Sequence, residues 1–291
     1  MSHFNDALRA GVYRAFNRAG FRFLLATGAA GQATLRLRKL CRVRYEDAWI
    51  QEFPNGVLVE PRLRLKVLPE IERVVKDTCM YEYLPHAGDV VLDIGAGTGW
   101  QTLCFSRMVG GSGRVISVEA HPKTFGCLSR MCELNKLLNV SPIHCAVAAG
   151  GGNVLISDDE KHAQNSILNV KRGVSVPSAT LDELFRSLRL SRIDLLKMNI
   201  EGAERIVLRE MTEMIRRTCH VCIACHDFCA DAGGPAEMRT KSEVVAFLEQ
   251  NGFEVITRAS DPRAWIRDYV YGRRRGSRCE ASRRKGRTCA M

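Results

Sequence analysis

No run of eighteen or more apolar residues occurs in the chain, so hydropathy predicts no membrane-spanning helix. Aromatic side chains make up only 7% of the sequence, and no basic stripe is interleaved with them, which argues against a stacking platform for nucleic acid. No internal repeat is visible, so a solenoid or propeller is excluded. The nearest thing to a secretory h-region, residues 21–30, is short, is broken by Gly28 and lacks a cleavage site. It reads as helix and loop, and the expected location is cytoplasmic.

At 291 residues with 46% hydrophobic composition, the chain has length for one substantial core with appendages. Its net charge of +11 is uneven: residues 1–66 carry 12 basic and 5 acidic side chains, residues 273–291 carry 8 and 1, and the segment between is mildly acidic. The expected organisation is an N-terminal helix and extended hairpin over 1–66, an α/β domain over 67–272 and a basic, disordered tail over 273–291. The basic ends suit peripheral contact with anionic lipid or phosphate. Oligomeric state is left open by the sequence.

The twelve cysteines are scattered and mostly fall in apolar patterns, as Cys104, Cys127 and Cys145 do, which reads as buried free thiols. Cys219, Cys222, Cys225 and Cys229 have an iron–sulfur-like spacing. On a strand, however, Cys222 faces away from Cys219 and Cys225, so no metal is expected there. Asp158, Asp159 and His162 lie on a polar insertion and read as a loop or lid rather than a metal site.

Phe4, Leu8, Val12 and Phe16 recur at helical spacing and predict an amphipathic helix over 4–18. Segments 41–52 and 56–66 read as a hairpin turning at Pro54-Asn55-Gly56, followed by a helix over 68–84. From Gly88 onward, strands are expected near 89–94, 114–119, 142–147, 193–199, 219–225, 253–258 and 264–271. Helices are expected near 98–109, 122–138, 180–189, 203–216 and 240–251. Strand–helix alternation predicts an α/β fold with a seven-stranded, mostly parallel sheet covered on both faces, with one antiparallel strand at the end.

The strongest local signal is Val90-Val91-Leu92-Asp93-Ile94-Gly95-Ala96-Gly97-Thr98-Gly99-Trp100, an apolar strand ending in an acid before a glycine loop that opens a helix. Dinucleotide enzymes use G-x-G-x-x-G to seat a pyrophosphate. Here the spacing is G-x-G-x-G, and Asp93 would repel a pyrophosphate while suiting a cationic, phosphate-free nucleoside. That points to S-adenosylmethionine. Glu119 ends the next strand, placed to accept both ribose hydroxyls, and Ala120 and Ala146 border the same crevice.

Asp93 to Gly99, Glu119-Ala120-His121-Pro122, Thr180-Leu181-Asp182-Glu183-Leu184 and, most specifically, Lys197-Met198-Asn199-Ile200-Glu201-Gly202-Ala203-Glu204 resemble the FkbM methyltransferase family over about residues 85–258. The resemblance implies a Rossmann-like class I fold and S-adenosylmethionine-dependent O-methylation of a sugar, glycan or other small-molecule hydroxyl. Family members usually carry aspartate where this chain has Asn199. Lys197, Asn199 and Glu201 share one face at a strand end, beside the crevice where ligands bind in open α/β sheets. Glu201 or His226 is the expected proton acceptor, Asn199 the orienting group and Lys197 the stabiliser of negative charge. Two further readings stand: a nucleic-acid methyltransferase, disfavoured by the lack of a proline–aromatic motif after the fourth strand, and a non-catalytic S-adenosylmethionine-binding interaction protein.

Overall fold

The computed structural model describes residue 17 and residues 20–158, 166–168, 170 and 172–276. Apart from Asn17, the helix expected over 4–18 lies outside the described residues, as do Asp159, His162 and everything from 277 onward.

Helix α1 (Arg22–Leu37) leads into an antiparallel sheet of β1 (Arg42–Tyr45), β2 (Trp49–Phe53) and β3 (Gly56–Glu60). The segment expected as one strand over 41–52 is two, because the chain turns between them, with the Glu46 N–H donating to the Ala48 carbonyl. The β2–β3 turn falls at Pro54-Asn55, as the sequence predicts. Helix α2 (Leu68–Asp77) stops well short of 84: at Thr78 the backbone leaves the helical region and the hydroxyl donates back to the Val74 carbonyl at 2.7 Å.

The remaining elements are β4 (Val90–Ile94), α3 (Trp100–Val109), β5 (Arg114–Glu119), α4 (Pro122–Leu134), β6 (Val140–His144), β7 (Ala146–Val147), β8 (Gly152–Ile156), β9 (Val174–Ala179), α5 (Leu181–Ser187) and β10 (Ile193–Met198). They continue with α6 (Glu204–Arg209), β11 (Thr218–Ala224), α7 (Asp227–Asp231), α8 (Lys241–Gln250), β12 (Phe253–Thr257), α9 (Ala264–Arg267) and β13 (Tyr269–Arg274). Seven strands form the central sheet in the order β12-β13-β11-β10-β4-β5-β6. Only β13 runs antiparallel, against both of its neighbours. The expected sheet is therefore the observed one.

Three boundaries differ for local reasons. The expected strand 142–147 divides at Cys145, after which Ala146 and Val147 leave the main sheet to pair with β9. The helix expected over 203–216 ends at Arg209, because the Asp182 carboxylate gathers the N–H groups of Thr212, Glu213 and Met214 and starts a separate 3₁₀ turn. The strand expected over 264–271 begins only at Tyr269. Asp261 binds Arg258 at 2.7 Å and both the backbone N–H and guanidinium of Arg263, curling the chain into α9, so Trp265 sits on a helical turn. The strand then runs to Arg274, two residues into the segment expected as tail.

Strand alternation sends side chains to two cores. Val91, Val115 and Leu195 join Leu103, Leu128 and Met131 on one face, together with Ile50 and Leu58 of the N-terminal sheet. Leu92, Ile94, Ile116 and Leu196 join Leu181, Val207 and Leu248 on the other. The hairpin is further fixed to α4 by Asn135, whose side chain accepts from the Val57 N–H at 2.9 Å and donates to its carbonyl at 2.8 Å. No helix among the described residues is long and apolar enough to cross a membrane.

Candidate functional site

A cavity of about 530 Å³ opens above the carboxyl ends of β4, β5 and β10. Its wall includes Gly95, Ala96, Gly97, Thr98 and Trp100 from the loop after β4, Glu119 and Ala120 from the end of β5, Ala146, and Asn199 and Glu201 after β10. Sequence reasoning named all ten. Four other candidates lie behind this wall: Asp93, Gly99, Lys197 and His226 do not line it.

Glu119 ties two strand ends together. One carboxylate oxygen accepts the Gly97 N–H and the other the His121 N–H, each at 2.9 Å. Burial pushes this carboxyl above the usual range against the pull of those two donors. Each oxygen keeps a further lone pair for a ligand hydroxyl.

Asp93 and Lys197 are register partners on neighbouring strands. Their side chains form an ion pair at 2.8 Å with almost no solvent exposure. Thr102 Oγ1 donates to the other Asp93 oxygen at 2.9 Å, and Lys197 Nζ donates to the Gly95 carbonyl at 2.8 Å. Burial is the largest influence on the Lys197 ammonium and opposes its charge, yet Asp93 together with Cys79 and Cys222 outweighs it and the net shift is upward. This corrects two expectations. Asp93 does not present free negative charge to a ligand, and Lys197 is not available to a developing alkoxide: the pair sits beneath the loop and supports it.

After β10 the Asn199 N–H donates to the Ile94 carbonyl at 3.1 Å, extending the ladder by one residue. Asn199 Oδ1 is buried with no hydrogen-bond partner among the described residues. Glu201 adopts a left-handed backbone with φ of 53°, a conformation that costs a non-glycine residue about 1 kcal/mol and that concentrates at functional sites. His226 Nε2 lies 3.3 Å from Glu201 and His226 Nδ1 lies 3.7 Å from the fully buried Glu204. Burial disfavours the imidazolium, but the two carboxylates prevail and raise its pKa to about 10. Between two carboxylates the imidazolium is the favoured form, and it has no lone pair to take a proton.

That shift has a definite sign. A histidine whose folded pKa exceeds the unfolded value of about 6.5 stabilises the fold fully below 6.5, and the contribution is lost as pH rises toward about 10. The thermal midpoint of the native protein is expected to fall more steeply between pH 7 and 10 than that of His226→Gln. Parallel slopes in the two melting series would remove the imidazolium assignment.

Sequence reasoning missed Glu60. It ends β3 and is buried, yet it accepts a hydrogen bond from Thr98 Oγ1 at 2.7 Å and another from the Trp100 indole. The N-terminal sheet thus anchors the glycine loop, and Pro61, Arg62 and Arg64 just beyond it complete the cavity wall. The signal in the sequence was an apolar run closed by an acid, Val57-Leu58-Val59-Glu60, the same pattern as Val90 to Asp93.

Among the described residues no group of three or more His, Cys, Asp or Glu is placed to hold a metal ion. Asp158 binds His121 at 3.1 Å and Lys123 at 3.2 Å. Among the described residues nine cysteines are free, and burial pushes the thiols of Cys104, Cys127 and Cys132 up to about 12, which leaves them unreactive. Cys219 departs from the expected free thiols and is disulfide-bonded.

The strand order with its antiparallel β13 is that of the class I methyltransferase fold, with the glycine loop after β4 and the acid at the tip of β5 on the carboxyl edge of the sheet. The profile of the FkbM methyltransferase domain matches residues 93–255, more than half of the chain, and the chain belongs to that family. A protein-L-isoaspartate O-methyltransferase of Caenorhabditis elegans is 26% identical over 155 residues, covering 51% of this chain and 61% of that protein. Methyltransferase 1 of Beauveria bassiana is 25% identical over 182 residues, covering 54% and 72%. Solved structures that the chain resembles include an FkbM methyltransferase from Methylobacillus flagellatus (15% identity, TM-score 0.44, covering 64% of this chain and 43% of that one). They also include the fibrillarin of Aeropyrum pernix (16% identity, TM-score 0.43, covering 79% and 94%).

Proposed function

We propose that this chain methylates a hydroxyl group of a sugar, glycan, lipid or other small-molecule acceptor. The observation that carries this reading is the placement of two cavity carboxylates on either side of β4, Glu119 on β5 and Glu201 after β10. One serves the cofactor and the other the acceptor.

The residues present fit S-adenosylmethionine. Glu119, fixed by two backbone donors, accepts the ribose hydroxyls; Gly95, Ala96, Gly97, Thr98 and Trp100 border the amino-acid portion; Ala120 and Ala146 border the base. The buried, unpartnered Asn199 Oδ1 calls for a donor and takes one from the ligand or the acceptor hydroxyl. When bound, the cofactor supplies a methyl group on a cationic sulfur. The chain contributes orientation and a proton acceptor: Glu201, held by the His226 cation, takes the proton that the acceptor oxygen loses. Arg62 and Arg64 close the hairpin side of the cavity.

The test is calorimetry followed by turnover. S-adenosylmethionine should bind to the wild type, and Glu119→Ala should weaken that binding about 30- to 150-fold, the value of two hydrogen bonds at roughly 1–1.5 kcal/mol each. Incubation with a panel of hydroxylated glycans and lipids should then give a methyl ether, detected by mass, and Glu201→Gln should slow its single-turnover formation. Binding without transfer to any hydroxylated acceptor would favour the non-catalytic reading, and transfer confined to RNA or DNA the nucleic-acid one.

A further inference from the structure

Helix α1 has two unlike faces. Ala26, Ala29 and Ala33 are buried, a small-residue stripe that lets the helix lie close against the N-terminal sheet. The opposite side exposes Leu24 (44%) and Leu35 (81%), Phe23 (63%) stands exposed on the flank between the two faces, and Leu40 just beyond the helix is 72% exposed. A helix facing water carries charge on its outer side. Here the thirteen residues 23–35 contain no charged side chain at all. Charge returns only at the carboxyl end, where Arg38, Lys39 and Arg42 are exposed and form no ion pair among the described residues. From residue 7 to residue 45 the sequence holds nine basic side chains and no acidic one.

From this juxtaposition we infer that the outer face of α1, with the basic cluster at its end, docks on an anionic lipid bilayer. Bulky apolar groups on one side of a helix enter the headgroup boundary, while flanking cations meet lipid phosphates. The absence of acid over such a length selects an anionic surface over a neutral one, each exposed cation near it being worth about fivefold in affinity. The same surface reaches the cavity. Arg36 donates to the Leu65 carbonyl at 3.0 Å, Leu65 is itself exposed, and its neighbour Arg64 lines the cavity wall. Docking would bring the acceptor side of the molecule toward lipid headgroups. The inference stands on α1 and the basic residues beside it and does not depend on which hydroxyl, if any, is methylated.

The experiment is sedimentation of the full chain with sucrose-loaded vesicles of neutral phosphatidylcholine or of the same lipid with about one third phosphatidylglycerol. Binding is expected to the anionic vesicles only, to weaken with added salt, and to drop at least tenfold in Phe23→Glu/Leu35→Glu. Those residues are exposed, so the variant's melting temperature should match the wild type. As a positive readout, Leu35→Trp should show a blue-shifted difference emission on the vesicles, quenched by brominated lipid. Equal binding to neutral vesicles, a drop of less than threefold in the double variant, or no blue shift would each overturn the inference. A vesicle-independent dimer that the double variant dissolves would assign the face to a second copy and overturn it too.

Discussion

Lys197→Met is expected to destabilise the protein by about 3–5 kcal/mol, the cost of leaving one member of a buried ion pair without its partner. Asp93 is fully buried, and without the ammonium its carboxylate keeps only the Thr102 hydroxyl. Two further outcomes separate this mechanism from a simple packing defect. The buried carboxylate of the variant favours its protonated form, so the variant should regain stability on the wild type as pH falls. Adding Asp93→Asn should restore much of the loss, because removing both charges spares the penalty of stranding one. Urea unfolding of the four proteins of this cycle measures the coupling. Purely additive losses would show that the pair does not support the loop. Because Lys197 also donates to the Gly95 carbonyl, cofactor affinity should fall together with stability, and the double replacement should recover stability more completely than affinity.

Asp93 also marks the limit of what the chain's local pattern reveals. Apolar strands alternating with helices disclosed the doubly covered sheet, since burial on both faces leaves an uninterrupted apolar run that no surface strand shows. The glycine loop and Glu119 were legible for a similar reason: they sit at strand ends, where a change from apolar to polar or small is visible along the chain. The partner of Asp93 was not, because Lys197 lies 104 residues later and meets it only through the register of two strands adjacent in space. Free charge was therefore read where a neutralised pair exists, and the contrast drawn with a pyrophosphate loses its force. The cofactor assignment rests instead on strand order, the family match and Glu119. Glu60 escaped notice on the same grounds, its contacts lying 38 and 40 residues away. His226 was named as a proton acceptor without sight of its two carboxylate neighbours, since only the folded chain places it between Glu201 and Glu204. Trp265 was assigned to a strand because the Asp261 turn that diverts it depends on two arginines, not on periodicity.

The glycine loop yields a rank order that neither composition nor motif matching supplies. A Cβ built on Gly95 would lie 1.9 Å from the Asn199 carbonyl oxygen and 2.9 Å from its carbon, backbone atoms that no rotamer change can move. A Cβ on Gly99 would meet the Met131 methyl at 2.2 Å, the far end of a flexible side chain that can swing aside. One on Gly97 would meet nothing within 4 Å. All three have positive φ, so each alanine pays about 1 kcal/mol for the left-handed conformation, and the difference among them is steric. Gly95→Ala must push the end of β10 away from the loop, displacing Asn199 and breaking its bond to Ile94. The expected loss of S-adenosylmethionine affinity is at least 100-fold, with a lowered melting temperature, whereas Gly97→Ala should stay within about tenfold and Gly99→Ala should fall between them. Calorimetry on the three variants decides the matter. If Gly95→Ala binds as well as Gly97→Ala, the close approach of loop and β10 does not exist in solution, and the cavity that sets Glu119 and Glu201 on its two sides must be built differently.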